Sequence, residues 1–144
     1  MAPNLFRTLL LATAIYAALR GGRDERTVAA MCVFGALVTH LVISPLQGRF
    51  QGLEAGVLIV DLAVLAGFIA VALRSDRFWP LWMAGVQTTT VMGHVMKQAD
   101  PLLMPRAYAA SLSFWAYWTL AILAAGVWRH GRRELISTDM AESC

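Results

Sequence analysis

Long apolar runs separated by clusters of arginine limit what this chain can fold into. The runs cover residues 5–19, 27–43, 53–73, 79–97 and 104–128, and the clusters fall at Arg20–Arg26, Arg74–Arg77 and Arg129–Glu134. A helix of roughly 20 apolar residues crosses a hydrocarbon core of about 30 Å. Hydrocarbon gives the backbone no hydrogen-bond partner, so a chain that inserts there must be helical or close into a barrel, and runs of this length favour helices. Composition points the same way: 58% of the residues are hydrophobic and 15% are charged, against about 25% charged in a typical soluble domain. The sequence predicts an all-α, polytopic membrane protein. Residues 1–133 form a bundle of five transmembrane helices, and residues 134–144 form a polar cytoplasmic tail.

The ends of the runs carry the expected punctuation. Pro45 stops the second run, Pro80 suits the first turn of the fourth, and Trp79, Trp82 and Trp128 mark interfaces. The first run has the look of a secretory signal, with Arg7 before LLLATAIYAAL. Tyr16 sits where cleavage wants a small residue, and Arg20, Arg23 and Arg26 follow at once. The run is therefore expected to be retained as a short helix.

Five crossings place the two ends of the chain on opposite sides. With the N-terminus outside, eight of the twelve Lys and Arg residues lie inside and four, Arg7, Arg49, Lys97 and Arg106, lie outside. The excess of positive charge selects N-outside, C-inside in the cell inner membrane, multi-pass. The net charge of +3 is then a topology signal and a contact for anionic lipid. No basic, aromatic-interleaved stretch exists outside the runs, so nucleic acid is not an expected partner. Cys32 and Cys144 are too far apart in this topology to pair, and no Cys/His metal spacing is present.

Polar residues inside the runs point to a site. Gln87, Thr90, His94 and Lys97 share an arc of about 80° on a helix. Such an arc must face protein or water. His40 and His94 both sit roughly 7–9 Å outward of the midplane, on helices that run outward. Asp61 lies a few ångströms outward on the third helix, seven residues after Glu54 and on its face. Ser111 joins the same level from the fifth helix, while the inner half of the bundle is almost purely apolar. The expectation is one polar pocket in the outer half holding His40, His94, Asp61 and Gln87, with Asp61 either protonated or paired with one of the histidines. On the second helix Cys32, Ala36, His40 and Ser44 repeat every four residues, a small, polar face suited to close packing. Tyr108, Trp115 and Trp118 form an aromatic face on the fifth.

Three functional classes fit these residues. The chain can be an accessory or scaffold subunit of a larger membrane complex, working through helix contacts or self-association. It can be an electron-transfer subunit in which His40 and His94 ligate haem b, with Gln87, Lys97 or Arg106 at the propionates, or in which a histidine, Asp61 and an aromatic wall hold a quinone. It can be a small proton-coupled transporter built on Asp61. An enzyme is not expected, because no GxSxG, HExxH or DxxxD-type cluster is present.

Overall fold

The computed structural model describes residues 3–43, 50–99 and 105–142. Ser44, Pro45, Arg49 and Cys144 lie outside the described residues, as do the side chains of Glu54, Arg106 and Tyr108. Five helices follow in order: α1 Pro3–Arg20, α2 Arg23–Ile43, α3 Phe50–Arg74, α4 Trp79–Ala99 and α5 Pro105–Glu142. There is no strand among the described residues. Each helix overlaps one of the apolar runs, and the differences lie at the ends. α2 starts before its apolar run, because Asp24 and Glu25 in its first turn face the positive end of the helix dipole. Arg20 and Arg74 close α1 and α3 at the negative end.

Successive helices pack against one another and α5 returns to α1, so the five close a ring; α2 and α5 also touch across it. α2 and α4 share no contact among the described residues. Every helix contributes to one apolar core: Ala17 from α1, Val28 and Ala29 from α2, Phe68 from α3, Met83 from α4, Leu123 and Val127 from α5. α2 and α3 approach closely through glycine. A Cβ at Gly35 would come within 2.9 Å of Val64 Cγ2, and one at Gly67 within 2.9 Å of Met31 Sδ. Small residues allow this packing where lipid supplies no hydrophobic drive between helices.

Among the described residues three helical stretches are long and apolar enough to cross a membrane: Arg23–Val42, Ala55–Arg74 and Ala110–Ser137. α1 and α4 fall short of that standard, where the sequence predicts five crossings. α1 has 18 residues and includes Asn4, Arg7 and Arg20. α4 carries Gln87, three threonines, His94 and Lys97 within its 21 residues. The segment after Arg133, expected as a polar tail, continues α5 in helical form to Glu142. At 38 residues, α5 is about 57 Å long, well beyond the roughly 30 Å of a hydrocarbon core.

The glycine seam supplies a test. Gly35→Leu is expected to lower stability by about 1–3 kcal/mol through overpacking against Val64. A Cβ at Gly85 would meet nothing within 4 Å, so Gly85→Ala is expected to raise stability by up to about 1 kcal/mol. Thermal unfolding of the two variants in a single detergent measures both signs.

Candidate functional site

The buried stripe of α4 runs Pro80, Met83, Gln87, His94. Met83 enters the apolar core and Pro80 is fully buried, and the last two bring polar groups to the seam with α3. There they meet Asp61. Gln87 Nε2 donates to Asp61 Oδ1 at 3.0 Å and lies 3.3 Å from the Asp61 carbonyl oxygen. His94 Nε2 stands 2.8 Å from Asp61 Oδ2. Gln87 and His94 are seven residues apart, two turns up the same face, so a single carboxylate on the neighbouring helix can bridge them. His94 is 5% exposed, Gln87 7% and Asp61 19%.

Both carboxylate oxygens of Asp61 accept, one from an amide and one from an imidazole. That pattern suits an ionised carboxylate facing a histidine that carries its proton on Nε2. The contact gives the carboxyl of Asp61 a partner within protein, where an unpartnered Asp at a helix centre in hydrocarbon costs roughly 2.5–3.5 kcal/mol. The chemistry available here is proton sharing between a carboxyl and an imidazole, clamped by an amide.

The structure therefore brings together three of the four residues expected in the outer pocket. His40 is not with them: its side chain is exposed on α2, and α2 does not touch α4. The inward stripe of α2 passes through Val28 and Gly35, and position 40 lies about 140° round the helix from position 35. His40 and His94 do not face one another as a pair of haem ligands would. Thr90, on the expected polar arc, turns its hydroxyl back to the Val86 carbonyl at 3.3 Å. Ser111 is exposed. On the aromatic face of α5, Phe114 packs edge-on against both Trp115 and Trp118, with centroids 5.3 and 6.1 Å apart.

A second polar cluster lies at the far end of the bundle, and the apolar-run pattern does not anticipate it. Glu25, in the first turn of α2, has a fully buried side chain and is ion-paired with Arg77 from the α3–α4 link. Arg77 NH2 also lies 2.9 Å from His130 Nδ1 on α5. Arginine only donates, so Nδ1 accepts and a neutral His130 carries its proton on Nε2, which sits 3.3 Å from Glu134 Oε1. Ser75 Oγ donates to Asp24 Oδ2 at 2.6 Å beside this cluster. Two buried atoms here, Glu25 Oε2 and Trp79 Nε1, have no hydrogen-bond partner among the described residues. The signal in the sequence is three charged clusters close to three helix ends. Taken as loop charges, they give no reason to pair across the bundle.

Leucine substitutions separate the Asp61 cluster's bonds from its shape. His94→Leu is expected to cost about 1–2 kcal/mol, since Asp61 loses a partner where no water replaces it. Replacing Asp61, Gln87 and His94 together by leucine removes both sides of every bond and is expected to recover most of that loss. Far-UV circular dichroism during thermal unfolding gives the order. A triple variant less stable than the single one would show that the three do not form a self-contained unit. No protein family, curated protein or solved structure matches the chain, so the chemistry of both clusters is read from their own geometry.

Proposed function

We propose that this chain is an accessory or scaffold subunit of an inner-membrane complex. In this reading all five helices cross the membrane, N-outside and C-inside, and the protein acts through helix contacts with other subunits or with a second copy of itself. The observation that carries it is the projection of α5. The other helices end near the level of His130, where Arg77 reaches α5. α5 continues for a further 12 residues and exposes Leu135 and Ile136 there. A helix that leaves its bundle with apolar side chains on its surface gains by burying them against another protein. The inner-face assignment rests on the eight-to-four bias of positive charge. Further support comes from the outer cluster: Gln87 and His94 are engaged by Asp61 of the same chain, as suits a clamp between α3 and α4.

A second reading draws on one specific feature, the direct contact of Asp61 and His94. A partly exposed carboxyl bonded to a buried imidazole is equipped to exchange protons, so a small proton-coupled transporter built on Asp61 is the alternative. The core residues Phe68, Met83 and Leu123 are apolar and fully buried. A path across the membrane would therefore need a second subunit or a rearrangement. The haem reading draws no support from His40, and a quinone site would have to displace the Asp61–His94 contact.

Two experiments follow. Purified gently from native membrane, the wild type is expected to migrate in a particle larger than one chain in its micelle. Leu135→Asp with Ile136→Asp is expected to migrate as the single chain. Identical migration of both as single chains would remove the scaffold reading. For the alternative, Asp61→Asn in proteoliposomes is expected to abolish substrate-linked proton uptake; retained uptake would remove the transporter.

A further inference from the structure

Beside the Arg77 network a cleft of about 120 Å³ opens between the α3–α4 link and α5. Its α5 wall is a single stripe, Gly126, Arg129, His130 and Arg133, at positions i, i+3, i+4 and i+7. Arg77 and Trp79 line the other side. Gly126 lets the Trp79 ring lie against the α5 backbone: a Cβ there would meet the ring at 3.1 Å. The guanidinium of Arg77 is held in place by Glu25 and His130. Those of Arg129 and Arg133 have no hydrogen-bond or ion-pair partner among the described residues. Asp76 is the opposing charge in the lining, and it is exposed. The carboxylate of Glu25 is covered by Arg77, and Glu134 is turned to His130.

We propose that this cleft binds a phosphate group, with Arg129 and Arg133 as the primary donors and Arg77 as a fixed third. Guanidinium forks match phosphate oxygens in geometry as well as charge, and a set of three converging on one cleft is an arrangement a lone surface arginine lacks. The place in the fold favours the phosphate of an anionic phospholipid. The cleft sits at the rim of the bundle with Phe78 exposed and Trp79 in its wall, where aromatic rings meet headgroups. Nearby Arg132 is engaged over the Trp128 ring at 5.1 Å and stays outside the set. The inference goes beyond the scaffold reading and does not depend on it: a lipid or a free phosphate can fill the cleft whatever α5 binds further along.

Native mass spectrometry of the full chain in detergent, titrated with phosphatidylglycerol or phosphatidylcholine, tests it. The wild type is expected to prefer phosphatidylglycerol. Arg129→Gln with Arg133→Gln is expected to weaken that binding at least about tenfold more than Arg20→Gln with Arg23→Gln does. The second pair sits at the same rim but outside the cleft and reports diffuse charge alone. Neither pair makes a side-chain hydrogen bond or ion pair among the described residues, and matching circular dichroism spectra check that the loss of Arg20 from the end of α1 leaves the fold intact. Competition by millimolar inorganic phosphate would show that the site takes phosphate itself, whereas its failure to compete would assign the site to the lipid headgroup. Equal losses for the two arginine pairs, or equal binding of the two lipids, would overturn the proposal.

Discussion

A carboxylate placed inside an apolar helix has to find its hydrogen bonds in protein, and in this chain that requirement decides how α3 and α4 are set. Asp61 is the one acidic residue in the stretch Ala55–Arg74, which is otherwise the most apolar in the molecule. Water would satisfy it readily; lipid cannot satisfy it at all. The rotation and height of α4 are then constrained, because Gln87 and His94 must both reach the two oxygens of one side chain. The same rotation puts Met83 into the core and buries Pro80. Polar satisfaction and apolar packing along α4 are thus two consequences of one helix orientation. That also explains how α4 stays in the bundle with fewer apolar residues than its neighbours.

The two polar clusters are insulated from each other. Between the Gln87 level and the Arg77 level lie Phe68, Met83 and Leu123, all fully buried. The clusters also differ in kind. The Asp61 cluster joins two helices that are adjacent in sequence and space. The rim cluster joins the start of α2, the α3–α4 link and α5, which are far apart in sequence. Breaking the first would loosen a hairpin; breaking the second would open one end of the ring.

Much of this was legible in the sequence. The apolar runs located five helices, since hydrocarbon length and backbone satisfaction leave a run few alternatives. The meeting of Asp61 with His94 and Gln87 was legible for a further reason. The seven-residue spacing fixes a face, and counting residues from the ends of two antiparallel helices fixes a depth. His40 shows where that reasoning stops. Its depth follows in the same way as that of His94, but depth carries no information on rotation. The face of α2 is set by the contact of Gly35 with Val64, and a glycine contact leaves no trace in a polar pattern. α5 exceeded its apolar run because helix formation past Trp128 needs no apolar residues, only residues that tolerate the helix, such as Arg132, Arg133, Glu134 and Leu135.

The rim cluster was hidden for a deeper reason. Arginines near membrane helix ends obey the positive-inside rule whether or not they pair with anything, so their presence says nothing about geometry. The informative residue is Glu25, an acid with a side chain buried by protein on a helix that opens with four charged residues of both signs, Arg23 to Arg26. A buried carboxylate is tolerated only when a cation is brought to it, and here the cation comes from a link of four residues between α3 and α4. That link is too short to wander, so Arg77 is delivered to a fixed place, and His130 completes its coordination from α5. With Arg77 held in this way, the arginines of the cleft wall without a partner among the described residues are Arg129 and Arg133, which flank His130 on α5. The structural ion pair and the open basic cleft are therefore two sides of the same arrangement: Glu25 pairs with the arginine that joins α2 to α5, and among the described residues Arg129 and Arg133 have no such acid, Asp76 being the exposed carboxylate in the lining.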